Sequence, residues 1–274
     1  GTMEDYYLAK RRLFDMCGTA VVNIDDDYGK RTAEYCAENG INCITVSVFG
    51  TADYYTEQVE LSPSGAEFLL TDRAAEKTYV VRMPLTGYYN VANGIEAALM
   101  CSQLGFRLSD CLSALESISG VSGRLETLYD GDFTVVCDYA HTEDGLLKLL
   151  STLKPLAKGR LITVFGAAGD RDSEKRPMMG RAAGKWSDYL IVTTDNPATE
   201  DPQATIDGVR SGISPETPCE EYTDRRQAVL RALEMAEKGD VIALCGKGHE
   251  DYQLMGSEYV HFSEREIVDG YLSE

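Results

Sequence analysis

The sequence predicts an α/β protein of two domains, the second built on a parallel sheet with helices on both faces. Its 274 residues suffice for two modest domains, and 43% hydrophobic with 26% charged residues is ordinary globular composition. From residue 123 onward, strand-like and helix-like segments alternate regularly, which is typical of a doubly wound parallel sheet. The Gly- and Ser-rich stretch "SGVSGRLE" (119–126) separates this half from the first.

The first half is predicted to begin as an α/β unit. "AVVNI" (20–24) predicts a strand, "YGKRTAEYCAEN" (28–39) a helix that Gly40 ends, and "INCITVSVF" (41–49) the next strand. The short alternating segments "TEQVELS", "GAEFLLTD" and "KTYVVRMPL" then predict an antiparallel meander. Two helices follow, "NVANGIEAALMCSQLG" and "LSDCLSALESIS", with small apolar residues spaced for close packing.

The second half is predicted as consecutive strand and helix pairs. Continuous apolar runs indicate strands buried on both faces, and apolar residues at helical spacing indicate the helices that cover them. The strands are "TVVCDYA", "RLITVFG", "DYLIVTT" and "DVIALCG", and the helices are "EDGLLKLLSTL", "KRPMMGRAAGKW", "QATIDGVRSGI", "DRRQAVLRALEMAE" and "SEREIVDGYL".

Charge and hydropathy exclude two classes of partner. The net charge of -19 would repel nucleic-acid phosphates and anionic lipid, and no basic block offsets it. The longest apolar runs have strand length, and "GTMEDYYLAKRRLF" has no signal-peptide core. We therefore expect a cytoplasmic protein that binds neither nucleic acid nor membrane.

Metal and dinucleotide motifs are missing from the sequence. The eight cysteines stand singly, which indicates buried reduced thiols, and the three histidines share no ligand spacing with one another or with the cysteines, so a zinc site is not predicted. The phosphate-loop spacing G-x-x-x-x-G-K-[ST] does not occur, and "GAAGDRD" does not supply the G-x-G-x-x-G that a dinucleotide oxidoreductase needs.

Four polar clusters follow predicted strands of the second half. Strand ends of a parallel sheet lie on one edge, so the clusters are predicted to converge on one cleft. Simpler roles stay open: Asp195 and Asn196 could form an Asx turn, Asp170 and Asp172 could cap a helix, and Arg171 could be a surface charge. The clusters are "DYAHTEDG" (138–145), "GAAGDRD" (166–172), "DNPATEDP" (195–202) and "GKGHED" (246–251).

Taken in order along the chain, eight motifs resemble the ATP-dependent Mur ligases. Within that family the resemblance is strongest to members that add the third amino acid to UDP-N-acetylmuramoyl-L-alanyl-D-glutamate, and it covers nearly the whole chain. The motifs are "TMEDYYLAK", "NIDDDYGKR", "MPLTGYYNVANGIEAA", "SGRLE", "DYAHTEDGL", "FGAAGDRDSEKRPMMG", "TTDNPATEDP" and "GKGHEDYQ".

The resemblance implies a ligase of peptidoglycan synthesis that forms a peptide bond through an acyl phosphate. Residues 1–122 would be the later part of a P-loop-type central ATPase domain, and residues 123–274 a Rossmann-like domain that receives the amino acid. The chain is then expected to be a truncated piece, inactive alone, because the sugar-binding domain and the P-loop are missing. ATP and Mg²⁺ would be the cofactors, and UDP-N-acetylmuramoyl-dipeptide and an amino acid the substrates of a monomer.

The resemblance also implies residues for the metal and the nucleotide. Lys10 matches a carbamylated lysine whose carboxylate-like group would hold Mg²⁺, although without the resemblance it is one helix cation among three. Asn90 and Asn93 match adenine contacts, and helix capping by Asn90 is the ordinary alternative.

Three further contacts are implied around the start of the second half. Arg124 matches a phosphate contact and Asp138 a ribose contact. His141 would assist near the acyl centre, and structural hydrogen bonding is an equal alternative. The family often has Pro where this chain has Glu143, which leaves the rigidity of this loop open.

Ala198 bears on which amino acid is added. Members that add meso-diaminopimelate have Asp-Asn-Pro-Arg, and the arginine pairs with the distal carboxylate, whereas lysine-adding members have the Asp-Asn-Pro-Ala found here. L-lysine is therefore predicted over meso-diaminopimelate, because an unpaired buried carboxylate would be costly. The amino-acid contacts implied are Arg171, Asp195, Asn196, Ala198, Gly246 and Glu250.

Three other functions remain open. The same family includes the meso-diaminopimelate-adding ligases. The chain as given could be a non-catalytic module that holds nucleotide or amino acid. A related ligase that adds glutamate to folate is the nearest enzymatic rival, but it does not account for the closeness of "DNPATEDP" and "GKGHEDYQ" to the third-residue enzymes.

Overall fold

The computed structural model describes residues 2–118 and 120–273. The chain divides into two compact units, residues 1–119 and 120–274. Each has its own buried apolar core. Within the described residues, no helix has the length and apolar character needed to cross a bilayer.

The first unit is one mixed sheet with helices. Strands β1, β2 and β3 are parallel, and β3, β4 and β5 pair antiparallel, so the predicted meander extends the same sheet in the order β1-β2-β3-β4-β5. The elements are α1 (Met3–Arg11), β1 (Thr19–Asn23), α2 (Asp27–Glu38), β2 (Asn42–Ser47), β3 (Tyr54–Ser62), β4 (Gly65–Asp72), β5 (Lys77–Met83), α3 (Tyr88–Gln103) and α4 (Leu108–Ala114).

Local chemistry explains where the first helices begin. Thr2 caps α1 by accepting from the Asp5 N–H, and the Asp5 carboxylate accepts from Thr2 in return, which forms a capping box. Asp26 caps α2 in the same way through the Gly29 N–H. The alternating strands bury Phe68 and Leu70 of β4 against the apolar residues of α3.

The second unit is a doubly wound sheet, as predicted. Its strand order is β10-β9-β8-β11-β7-β6, and all neighbours are parallel except β6 and β7. The elements are β6 (Glu126–Asp130), β7 (Thr134–Asp138), α5 (Glu143–Leu153), β8 (Leu161–Phe165), α6 (Arg176–Trp186), β9 (Tyr189–Thr193), α7 (Pro202–Arg210), β10 (Cys219–Tyr222), α8 (Arg225–Met235), β11 (Val241–Cys245), β12 (Tyr252–Met255), β13 (Glu258–His261) and α9 (Glu264–Leu272).

Helices cover both faces of the second sheet. Apolar side chains of α5, α6 and α7 share one core cluster with one face of the strands, and those of α8 and α9 share another with the opposite face. Every residue of β7, β8 and β11 is buried. This explains why these strands have continuous apolar sequences rather than alternating ones.

The structure adds four strands that the sequence analysis did not predict. β6 and β10 are the edge strands, and β12 with β13 forms a separate antiparallel hairpin. Edge and hairpin strands bury little apolar surface, so β10 has the polar sequence "CEEY" and every residue of β13 is exposed. The expectation of buried cysteines is wrong for Cys101, which is exposed.

Glu220 holds edge strand β10 to its neighbours. Its carboxylate accepts hydrogen bonds from Tyr189 and Tyr222 at 2.6 and 2.7 Å and pairs with Arg231 of α8 at 2.9 Å. The bond from Arg231 and then that from Tyr189 lower the pKa of Glu220 to about 2. Because the pKa is lowered on folding, ionised Glu220 stabilises the fold above its unfolded pKa, and this contribution is lost as the pH falls toward about 2.

We predict that Glu220→Gln lowers the free energy of unfolding by about 1–2 kcal/mol at neutral pH, a modest value because the pair is partly exposed. The difference from the parent should shrink between about pH 4.5 and pH 2. Urea unfolding followed by fluorescence of Trp186, the single tryptophan, reports on the second unit. Exposed Glu216→Gln is the matched control, and equal losses for Glu220→Gln at every pH would contradict the prediction.

Candidate functional site

A cavity of about 840 Å³ lies at the carboxyl edge of the second sheet. All four predicted polar clusters contribute to it, so their convergence is confirmed. The loop after β7 supplies Tyr139 and His141, the loop after β8 supplies residues 167–172, and the β12–β13 hairpin adds further side chains. The sequence-predicted residues that line the cavity are His141, Arg171, Asp195, Asn196, Ala198, Gly246 and Glu250.

The loops after β8 and β9 are hydrogen-bonded to each other. The Gly169 N–H donates to the Asn196 carbonyl at 2.8 Å, and the Asp170 carboxylate accepts from the N–H and hydroxyl of Thr199. Asp170 and Ala198 both have positive φ, 54° and 51°. Capping by Asp170 is therefore wrong, because its carboxylate joins the two loops.

Arg171 lines the cavity from the loop after β8. Its side chain is exposed as well as lining the cavity, so the two roles considered for it, a surface charge and an amino-acid contact, do not exclude each other. Asp172 does cap the next turn, because its carboxylate accepts from the Glu174 N–H at 3.2 Å. Arg176 is buried and paired with Glu200 at 2.8 Å, so Arg171 is the more accessible of these two cations.

Asp195, Asn196 and Glu250 surround one buried ammonium. Lys247 Nζ lies 3.2 Å from an Asp195 carboxylate oxygen and donates to Asn196 Oδ1 at 2.5 Å and to Glu250 Oε2 at 3.1 Å. The Lys247 side chain is fully buried, whereas the Glu250 side chain is 14% exposed. Asp195 and Glu250 thus form an acidic wall of the cavity, and Lys247, which neutralises part of their charge, lies behind this wall and does not line the cavity.

The β12–β13 hairpin packs on the loop after β9. Asn196 Oδ1 also accepts from the Leu254 N–H at 2.9 Å, and the Ala198 N–H donates to the Leu254 carbonyl at 3.0 Å. The Gln253 amide donates to the Asp195 carbonyl. A simple Asx turn at Asp195 and Asn196 is therefore wrong, because Asn196 binds the hairpin rather than its own turn.

Gly246 is required by space and by backbone conformation. Its φ is 114°, and a Cβ there would lie 2.5 Å from an Asp195 carboxylate oxygen. Any side chain would push Asp195 out of the acidic wall.

A buried ion pair between Arg225 and Glu264 contacts the backbone at this edge of the sheet. The Arg225 guanidinium is 0% exposed, binds Glu264 at 2.7 Å, and donates to the carbonyls of Thr194 and Cys245. These carbonyls lie where β9 and β11 lead into the site. The other Glu264 oxygen accepts from the Cys137 thiol, whose pKa is raised well above its usual range by burial.

Asp138, the last residue of β7, and its neighbours lie at the same carboxyl edge of the sheet. The Asp138 carboxylate accepts from the Leu125 and Ala140 N–H groups, both at 2.7 Å, and burial raises its pKa. The Arg124 guanidinium is exposed and lies 5.1 Å from the centre of the Tyr139 ring. His141 Nδ1 lies 2.7 Å from the Tyr139 carbonyl, so the structural hydrogen bond considered for it is present.

The remaining predicted residues lie in the first unit. Lys10 is exposed on α1 with its ammonium 5.7 Å from the Tyr6 ring centre. Asn90 and Asn93 lie on α3, where Asn90 donates to the Thr86 carbonyl and Asn93 is exposed. Gly87, not Asn90, is the N-cap of this helix.

Among residues 2–118 and 120–273, no group of three or more His, Cys, Asp or Glu side chains is arranged to hold a metal ion. The metal role of Lys10 therefore remains a prediction from the resemblance alone.

Lys247, Tyr139 and Tyr252 belong to the site but were not predicted from the sequence. The Glu250 carboxylate is 3.4 Å from the Tyr139 hydroxyl, and the Tyr252 ring centre is 5.6 Å from Lys247 Nζ. A lysine between two glycines directly after a buried strand was the available signal for Lys247. Its burial depends on loops far apart in the sequence, so the motif alone did not reveal it.

Family comparisons agree with this geometry, and the chain belongs to the Mur ligase family. The family model "Mur ligase middle domain" matches residues 1–101, and "Mur ligase, glutamate ligase domain" matches residues 123–248. The second match contains three of the four polar clusters complete and begins the fourth.

The chain is also similar to individual ligases. It is 41% identical over its whole length to a UDP-N-acetylmuramoyl-L-alanyl-D-glutamate–2,6-diaminopimelate ligase of Synechococcus elongatus, of which it covers 55%. It is 39% identical to the ligase of that name from Clostridium tetani, covering 56%. A solved structure of such a ligase matches with a TM-score of 0.70 at 35% identity, over 100% of this chain and 57% of that one. The chain thus spans about 55% of the length of the curated relatives it matches.

We predict that Arg225→Met destabilises the second unit by about 3–5 kcal/mol, because it leaves the Glu264 carboxylate buried without its cation. Urea unfolding followed by Trp186 fluorescence would measure the loss.

Lys148→Met is the control, since the Lys148–Asp144 pair is exposed and should contribute less than about 1 kcal/mol. The double variant Arg225→Met/Glu264→Met should recover part of the loss. A single-variant loss no larger than that of the control would show that the buried pair does not support this edge.

Proposed function

We propose that this chain is part of an ATP-dependent ligase that adds the third amino acid, a diamino acid, to UDP-N-acetylmuramoyl-L-alanyl-D-glutamate in peptidoglycan synthesis. The observation that carries the proposal is the cavity at the carboxyl edge of the second sheet. Its lining combines the acidic side chains of Asp195 and Glu250 with an accessible cation, Arg171. An amino acid carries both charges that such a lining can bind.

The reaction proposed has two steps. The γ-phosphoryl group of ATP passes to the substrate carboxylate, which gives an acyl phosphate and ADP. The neutral α-amine of the incoming amino acid then attacks the acyl carbon, the C–O bond to phosphate breaks, and the amine loses a proton as the amide forms. Negative charge builds on oxygen in both steps, so cationic groups must already be in place.

Each side of the cavity suits one end of the amino acid. Arg171 would hold the α-carboxylate, and Asn196, Gly246 and Glu250 would orient the amino groups. The acidic wall favours a substrate with a second ammonium, which remains charged while the α-amine reacts. His141 lines the same cavity and is the residue proposed to lie near the acyl group.

The nucleotide contacts belong to the same proposal. Arg124 presents an exposed guanidinium suited to phosphate, and Asn90 and Asn93 are proposed to contact adenine from α3. Asp138 is proposed as the ribose contact, although both its oxygens already order backbone N–H groups. Because the described residues form no Mg²⁺ ligand set, no step is assigned to the metal or to Lys10.

The wider assignments complete the proposal. Residues 1–122 would belong to the central ATPase domain and residues 123–274 to the amino-acid-binding domain. ATP and a UDP-linked sugar are cytoplasmic substrates, so we propose that the protein acts in the cytoplasm. It is also proposed to be a monomer. A module without catalytic activity, which holds nucleotide or amino acid, remains the alternative for the chain as given.

The relatives and Ala198 point to different amino acids. Relatives at 39–41% identity are named as 2,6-diaminopimelate ligases, and they favour meso-diaminopimelate over the L-lysine predicted from the sequence. L-lysine is the second candidate because Ala198, with no cationic side chain, lines the cavity.

We predict ADP release with UDP-N-acetylmuramoyl-L-alanyl-D-glutamate and meso-diaminopimelate, above that with L-lysine, when the chain is joined to the amino-terminal region of a relative. Ala198→Arg should increase this preference at least about tenfold, because a guanidinium there can pair with the distal carboxylate. Steady-state rates with each amino acid supply the ratio.

Ala204→Arg adds the same charge at an exposed position of α7 and should leave the ratio unchanged. Turnover with L-lysine alone would establish the second candidate. No turnover with either amino acid, in a chimera that folds, would overturn the ligase proposal.

A further inference from the structure

We propose that Lys247 is a positioning residue of the amino-acid site. Its buried ammonium neutralises one of two adjacent carboxylates and sets the orientation of the Asn196 amide. The wall is thereby left with one net negative charge, which receives an ammonium group of the substrate. This inference rests on the proposed function, because it assumes that the cavity receives an amino acid.

The burial of Lys247 requires a compensating set of partners. A lysine ammonium has three N–H groups, and moving it out of water is costly unless each finds an acceptor. The three polar neighbours are Asp195 at 3.2 Å, Asn196 at 2.5 Å and Glu250 at 3.1 Å. The two hydrogen bonds and the ion pair with Asp195 therefore lie within the protein, and Lys247 does not line the cavity.

Lys247 also determines how Asn196 is turned. The Asn196 Oδ1 atom accepts from Lys247 and from the Leu254 N–H, so the two donors of its amide must point the other way. There, Asn196 Nδ2 lies 3.2 Å from Glu250 Oε2. The ammonium thus fixes a chain of contacts that ends on the Glu250 carboxylate.

Glu250 is the member of the cluster that stays accessible. Its side chain is 14% exposed, compared with 6% for Asp195 and 0% for Lys247. Two carboxylates and one ammonium leave one negative charge, and Glu250 presents it at the cavity. A substrate ammonium there would meet the one net negative charge of the cluster, on a carboxylate whose position is already fixed.

Other charged or titratable groups face this cluster. The pKa values of Tyr139 and Tyr252 are raised, for Tyr139 mainly by burial and for Tyr252 mainly by the charge of Glu250, so both stay neutral at ordinary pH. Arginine is charged throughout this range. Because His141 and His249 are present in every variant, only differences between variants bear on Lys247. Among the described residues, the remaining groups that face the cluster or line the cavity are His141, Asp170, Arg171, Asp172, Lys175, Arg176, Arg225, His249 and Tyr259.

The test is the binding of meso-diaminopimelate and of L-lysine to the chain and to Lys247→Met, by calorimetry between about pH 6 and pH 8. In Lys247→Met, one proton shared by Asp195 and Glu250 must replace the lost ammonium. We expect binding at least about tenfold weaker at pH 8, with part of the affinity recovered at pH 6. Lys175→Met, which removes an exposed lysine from the same cavity, should change the pH dependence little.

The double variant Asp195→Asn/Lys247→Met removes the cation together with a carboxylate that it neutralises. It should show the pH profile of Asp195→Asn alone, and it keeps the test available if Lys247→Met does not fold. The proposal is overturned if Lys247→Met binds like the parent, or if it loses the same factor at pH 6 and pH 8. Failure of both Lys247 variants to fold would assign Lys247 a purely structural role. If the parent chain itself binds neither amino acid, the proposed function fails instead.

Discussion

The buried guanidinium of Arg225 is the interaction on which the rest of the site depends. It joins carbonyls at the ends of β9 and β11 to a carboxylate on α9, and none of its surface reaches solvent. A guanidinium suits this position because its planar fork can bind several oxygens at once and stays charged when buried. The strand ends that carry Asp195 and Gly246 are held together by this one group, so the acidic wall begins from a fixed base.

An unusual distribution of charge follows from this arrangement. The chain carries a net charge of -19, yet two of its cations, Arg225 and Lys247, are wholly buried beside the candidate site. Lys247 lies between the carboxylates of Asp195 and Glu250, and Arg225 neutralises the buried carboxylate of Glu264. The acidic surface therefore does not extend unchanged into the cavity, where positive and negative groups alternate over short distances. Such a lining suits a small zwitterionic ligand better than a polyanion.

Family membership and geometry limit the function in different ways. The match to the Mur ligase family covers both halves of the chain, and it supports the reaction class. The cavity, whose lining residues all come from the second unit, supports the proposal that this unit receives the amino acid. Position 198 is where the two kinds of information differ, since Ala198 lacks the cation that the resemblance associates with diaminopimelate. The backbone at Ala198 is nevertheless held by the hairpin, so the difference is confined to the side chain.

The doubly wound sheet could be predicted from the amino-acid sequence, because continuous apolar strands and amphipathic helices are local patterns with a physical period. The meeting of four polar clusters at one edge could also be predicted, since parallel strands place their carboxyl ends together. The contacts among the side chains at that edge could not be predicted and are known from the folded structure. The β12–β13 hairpin, the joining of Asp170 to Thr199 and the burial of Lys247 depend on contacts between loops distant in sequence. Polar loops have no periodic pattern, and whether a lysine is a surface charge or a buried counter-ion is set by what packs around it.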